Sequence, residues 1–99
     1  MWLPRVTVER VIDGDTIAGA LDLGWGIVIR EVRGRPCRFR LLGIDTPERG
    51  EPGFAEARDT LRARLPVGTV AQVESEALDS FGRTLCRLRL TDGTMVPVG

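Results

Sequence analysis

Arg40, Asp45, Thr46 and Glu48 fall within one nine-residue stretch, Arg40-Leu41-Leu42-Gly43-Ile44-Asp45-Thr46-Pro47-Glu48, where an apolar strand runs into an acidic turn. Asp15 and Arg83, at the ends of other strands, complete a charge-balanced set. The chemistry that suits such a set is metal-assisted hydrolysis of a phosphodiester. The ester is anionic, and charge builds on its oxygens as water attacks, so cations must already stand there. Arg40 and Arg83 can each grip phosphate oxygens through two N–H groups. A hard divalent ion takes oxygen ligands, and Asp15 and Asp45 are carboxylates at the ends of neighbouring strands. Pro47 has no N–H and biases Thr46 toward an extended shape, which leaves the Thr46 carbonyl available as a third ligand. Glu48, three residues past Asp45, is placed to polarise the attacking water.

The rest of the inventory narrows the alternatives. The chain contains no histidine, which removes every histidine-based triad and the usual zinc ligand. Cys37 and Cys86 are far apart in apolar-patterned strands and read as small core residues. Net charge is zero, so there is no global basic pull toward a polyanion. All fourteen basic residues are arginines. Codon usage in a GC-rich genome explains that as well as arginine's fit to phosphate does. Taken one at a time, Asp13, Asp15 and the Asp45–Glu48 turn are ordinary turn formers. It is their combination that points to a site.

The elements that must position these residues follow from periodicity. Ninety-nine residues make one small domain. Arg5–Ile12 alternates as a strand and meets Asp13-Gly14-Asp15, a tight turn. Thr16–Leu23 resumes as the second strand of a hairpin. Gly24-Trp25-Gly26 interrupts it and predicts a bulge or bend with one aromatic anchor. Ile27–Val32 continues extended, and residues 33–36 turn. On Cys37–Leu42 the residues Cys37, Phe39 and Leu41 share the core face, so Arg38 and Arg40 emerge on the other. Phe54, Ala57, Leu61 and Leu65 fall at helical spacing, an amphipathic helix over about 54–65 stopped by Pro66 and Gly68. Thr69–Ser75 and Leu85–Leu90 are further strands, separated by a loop over 76–82. Asp92-Gly93 turns into a short final segment, Met95–Val98. Three strands, one helix and two strands predict a mainly β, α+β chain: a five-stranded Greek-key barrel of the OB type, with the helix between strands three and four. A two-layer α+β sandwich is the competing arrangement.

Three segments together resemble the signatures of the staphylococcal (micrococcal, thermonuclease-type) nuclease family, in the family's order. They are Val11-Ile12-Asp13-Gly14-Asp15-Thr16, Phe39–Glu48, and Asp79-Ser80-Phe81-Gly82-Arg83-Thr84-Leu85. The resemblance runs from about Arg5 to Val96. It implies an OB barrel with packed helices and hydrolysis of DNA and RNA, single strands preferred, with little sequence preference. It implies one Ca²⁺ ion held by Asp15, Asp45 and the Thr46 carbonyl, phosphate held by Arg40 and Arg83, and Glu48 as general base or water-orienting group. Phe81 stands where the best-known member of the family has a tyrosine, so a substrate contact is kept while a hydroxyl is lost.

The family's domains normally continue past the last hairpin into helices that cover the barrel. This chain stops before them and is expected to be a short natural version of that domain, a fragment of it, or one whose flank a second copy or another partner covers. A catalytically weak or inactive OB-fold module that binds nucleic acid or protein is the alternative function. With no visible signal peptide or apolar span of ~18 residues, the expected location is the cytoplasm without membrane contact. Secretion stays open if the N-terminus is processed.

Overall fold

The computed structural model describes residues 3–32, 34–42, 46–47, 49–78 and 83–96, with 75–78 described by their backbone alone. Five long strands form the body: β1 (Arg5–Val11), β2 (Thr16–Gly24), β6 (Arg38–Leu41), β7 (Val70–Leu78) and β8 (Thr84–Leu90). They pair in the order β1-β7-β8-β6-β2, and β2 pairs with β1 again, so the sheet closes on itself. The β6–β8 pair is parallel, and every other pair in the ring is antiparallel. Helix α1 (Phe54–Arg64) joins the third barrel strand to the fourth. This is the five-stranded OB-type barrel that the strand order predicts, with the helix in its expected place.

The core fills the barrel. Val6, Val8, Ile17, Phe39, Leu41, Cys86 and Leu88 point inward and are almost wholly buried. Leu61 and Leu65 close one end from the helix side, each contributing about 1.5–3 kcal/mol by burial. The helix takes Gly53 as its N-cap with no side-chain cap, so the two leucines rather than local capping hold it in place. Both cysteines are free and buried, as expected, although Cys37 directly precedes β6 rather than lying within it. Burial pushes the Cys86 thiol up to about 12. Among the described residues no helix is long and apolar enough to cross a membrane.

Four local expectations need correction. Ile27–Val32 is not one strand: it breaks at Arg30 into β3 (Ile27–Ile29), paired with β2, and β4 (Glu31–Val32). The turn expected over 33–36 is shorter, because Arg35–Pro36 forms β5 and pairs with β4. β7 runs to Leu78, where Ser75 was expected to end it, since a shift in register between Ser75 and Ala77 lets pairing with β8 continue. Trp25 is no anchor. Gly24 pairs with Ile27, and Trp25 and Gly26 form the two-residue turn between β2 and β3, with φ of 53° and 75°. Positive φ at both centres is the type I′ geometry that matches strand twist. It turns the Trp25 side chain outward, where it is 97% exposed. The short segment β9 (Met95–Val96) pairs with β8.

Candidate active site

The β1–β2 turn is built to hold one carboxylate rigidly. Ile12 and Asp13 both donate their N–H groups to the Thr16 carbonyl, at 2.9 and 3.3 Å. The Asp15 N–H donates to Asp13 Oδ1 at 3.0 Å, and the Asp15 carbonyl accepts from the Leu41 N–H at 2.7 Å. Asp15 is thereby tied to its own turn and to β6 at once. Only 8% of the residue is exposed. Its Oδ1 accepts the Thr16 hydroxyl at 2.9 Å, and Oδ2 lies 3.5 Å from Arg40 Nε.

Register explains the partner. Thr16 pairs with Arg40 across the β2–β6 ladder. Phe39 and Leu41 fill the core on either side, so strand alternation forces Arg40 onto the outer face beside the turn. Its side chain is 41% exposed, and an ion pair so open to water adds only about 0–1 kcal/mol of stability. The contact therefore matters for placing the guanidinium more than for stability. Arg40 pairs with Leu85 on the parallel strand β8, and Arg83, half-buried, directly precedes that strand.

Thr46 reaches the site through an absence. A Cβ on Gly14 would lie 2.8 Å from Thr46 Cγ2, 2.9 Å from Thr46 Cβ and 2.8 Å from Ala57 Cβ of the helix. Gly14 does not have a positive φ. Its lack of a side chain serves close approach: the Asp13–Asp15 turn, the 46–47 segment and α1 meet at this point. On the helix side, Pro47 sits against Gly53, whose Cβ would be 3.4 Å from Pro47 Cγ.

The electrostatics set Asp15 apart. Burial raises its carboxyl pKa above the ordinary value. The Asp13 carboxylate adds to that rise, while the Thr16 hydroxyl and Arg40 oppose it. For Asp13 burial acts the same way, but the hydrogen bonds it accepts from Asp15 and Thr16 outweigh burial and hold it below the ordinary value. One strongly held anion beside a second, penalised one is an environment that a cation would relieve.

Of the expected site residues, the structure therefore gathers Asp15, Arg40 and Thr46 at one end of the barrel, and Arg83 directly precedes β8, the strand paired with Arg40's. Asp45, Glu48 and Phe81 lie outside the described residues. Among the described residues no group of three or more acid, histidine or cysteine side chains would itself hold a metal. Two contributors escape a reading of residue types. Thr16 fixes the Asp15 rotamer, and its place directly after Asp15 is the signal for it. Gly14 spaces the turn from Thr46, and no local signal separates that role from turn formation.

A closed Greek-key barrel with a buried carboxylate and outward arginines at its strand ends defines the class: an OB-type fold with a site suited to anionic ligands. Against proteins of known name, the chain is 34% identical over 92 residues to Thermonuclease of Staphylococcus intermedius. The match takes in 86% of this chain and 48% of that protein, so the chain spans about half the length of the curated relative it matches. No family model matches the chain.

Proposed function

We propose that this chain is a nuclease of the staphylococcal type, a Ca²⁺-dependent phosphodiesterase that cuts DNA and RNA with little sequence preference. The observation that carries the reading is the Asp15–Arg40 pair on a closed OB-type barrel, locked by Thr16 and the Leu41 N–H. The similarity to a thermonuclease over most of the chain supports it. The described donors fit the ion. The Asp15 carboxylate and the Thr46 carbonyl are hard oxygens of the kind Ca²⁺ takes, and Asp15 is a buried anion whose charge is otherwise penalised. Asp45 is the further ligand in this reading. When bound, Ca²⁺ supplies positive charge to a phosphate oxygen and to the water near it.

The chain's own residues do the remaining work. Arg40 binds a phosphate oxygen from the outer face, held in aim by Asp15. Arg83 contributes a second guanidinium from the neighbouring strand, so the charge that builds on phosphorus-bound oxygens meets fixed N–H donors. Glu48 takes the proton of the attacking water. Phe81 borders the substrate without donating a hydrogen bond.

The test is cleavage of single-stranded DNA in Ca²⁺ and in chelator, with Arg40→Lys and Glu48→Gln beside the wild type. Cleavage that depends on Ca²⁺ and falls about 10²–10³-fold in each variant is expected. Arg40→Lys keeps the charge but loses the bidentate fork. Salt-dependent binding without turnover would replace this reading with a non-catalytic nucleic-acid module.

A further inference from the structure

Trp25 has no role in the site described above, yet its position is unusual. A bulky residue rarely takes a positive φ, and type I′ turns ordinarily place Asn, Asp or Gly at the first centre. Here a tryptophan holds that position at φ 53° and is 97% exposed. Ile27 and Val28 beside it are about half exposed. Local strain kept at a fully exposed aromatic is the kind of outlier that points to recognition.

The outer face at the site end of β2 is basic. Ala18, on the outer face of β2, pairs with Arg10 of β1 on one side and with Arg38 of β6 on the other. Arg40 lies on the same face one row nearer the turn, and Arg83 directly precedes β8, the strand that pairs with Arg40's. Among the described residues, Glu9 lies in the β1 bulge next to Arg10, Asp15 is paired with Arg40, and Asp22 stands further along the outer face of β2 opposite Arg5. The arm itself is evenly charged: Asp22, Arg30, Glu31 and Arg35 are its described charges. Asp22 is turned onto the Gly24 N–H at 2.8 Å. The arm thus offers stacking, and the arginines at the other end of β2 offer charge complementary to a polyanion, with Ala20 and the Asp22–Arg5 pairing between them.

We infer that Trp25 is a base-stacking platform for single-stranded nucleic acid, engaging the substrate strand several nucleotides from the scissile phosphate while the arginine row tracks the backbone. β2 spans nine residues, about 26 Å at ~3.3 Å per residue, which suits the ~4–16 nucleotide sites of OB folds. The inference rests on the nuclease reading and extends its substrate site.

The experiment measures binding of end-labelled oligothymidylates in chelator, so that no cleavage occurs, to wild type, Trp25→Asn and Trp25→Phe. With an oligomer of about twelve nucleotides, Trp25→Asn weakens binding about tenfold and Trp25→Phe largely restores it. A dinucleotide, which cannot reach the arm, binds all three equally. Trp25→Asn melts no lower than wild type, because Asn-Gly is the preferred pair for this turn, so lost binding cannot be blamed on lost folding. If wild type binds the long oligomer and Trp25→Asn binds it as tightly, this inference fails and the nuclease reading stands. If wild type binds neither oligomer, this inference falls, and the nuclease reading is decided separately by the cleavage assay in Ca²⁺. If Trp25→Asn instead abolishes a concentration-dependent self-association and leaves binding alone, the arm is a contact between copies and the inference is overturned.

Discussion

Gly14→Ala is the most direct test of how the site is assembled. Gly14 does not have a positive φ, so alanine meets no backbone penalty there. At such a position alanine ordinarily stabilises a protein by about 0.4–1 kcal/mol through the unfolded chain. At Gly14 the new methyl would stand 2.8 Å from both Thr46 Cγ2 and Ala57 Cβ. Neither neighbour can swing clear. Ala57 Cβ is fixed to the helix backbone, and the Thr46 Cβ lies almost as close, at 2.9 Å. Forcing a methyl into such a contact costs about 1–3 kcal/mol. The balance is a net loss of about 1–2 kcal/mol, or roughly 5–15 °C in Tm for a domain of this size. Thermal melts followed by far-UV circular dichroism measure it. Ala57→Gly opens the helix side of the contact but costs about 1 kcal/mol by helix propensity alone, so the informative quantity is the coupling in a double-mutant cycle. The two changes should couple favourably by about half of the Gly14→Ala loss, because Thr46 still blocks the other side. A Gly14→Ala variant as stable as wild type, or a coupling of zero, would refute the close meeting of turn, helix and Thr46.

Two further outcomes follow from titration and burial. Because the folded chain raises the Asp15 pKa, it holds that proton more tightly than the unfolded chain, whose carboxyl titrates near 3.8. The resulting stabilisation is complete below that value and is lost as pH rises through the higher folded value. In chelator, then, Asp15→Asn should remove a fall in Tm that wild type shows above about pH 4, and parallel Tm–pH profiles would show that Asp15 is not the group responsible. Asp13 has the opposite sign: its pKa is lowered, so its contribution is present above 3.8 and disappears as pH falls through the folded value. For the thiols, a Cys86 pKa near 12 leaves about one molecule in 10⁴ as thiolate at pH 8. A thiol reagent in native buffer should therefore label Cys37, beside the short β3, before Cys86, and Cys86 only as the barrel unfolds. Early labelling of Cys86 would contradict its burial.

Strict alternation is what made Arg40 legible. Phe39 and Leu41 had to enter the core, which left Arg40 one face to occupy, and β-pairing then fixed its neighbour. The barrel order was legible for a related reason: the period changes to helical at Phe54 and back to extended by Val70 in the order such a fold requires. The errors fall where alternation is broken. The β1 bulge turns both Glu9 and Arg10 outward before Val11 returns to the core. The β7 bulge prolongs pairing past Ser75. Trp25 occupies a turn whose usual residues would have announced it, and a tryptophan there announces an anchor instead. Gly14 is the deepest case. In Asp13-Gly14-Asp15 a glycine reads as the residue that lets the backbone turn, yet its conformation is open to any residue. What it supplies is the missing Cβ that lets Thr46 and the helix approach the turn carrying Asp15. A residue whose contribution is empty space leaves no trace in a periodic pattern, because the partners that need the space come from 32 and 43 positions further along the chain. The charged members of such a site can therefore be read from strand phase, whereas the spacing that brings them to one point is visible only once distant segments are packed.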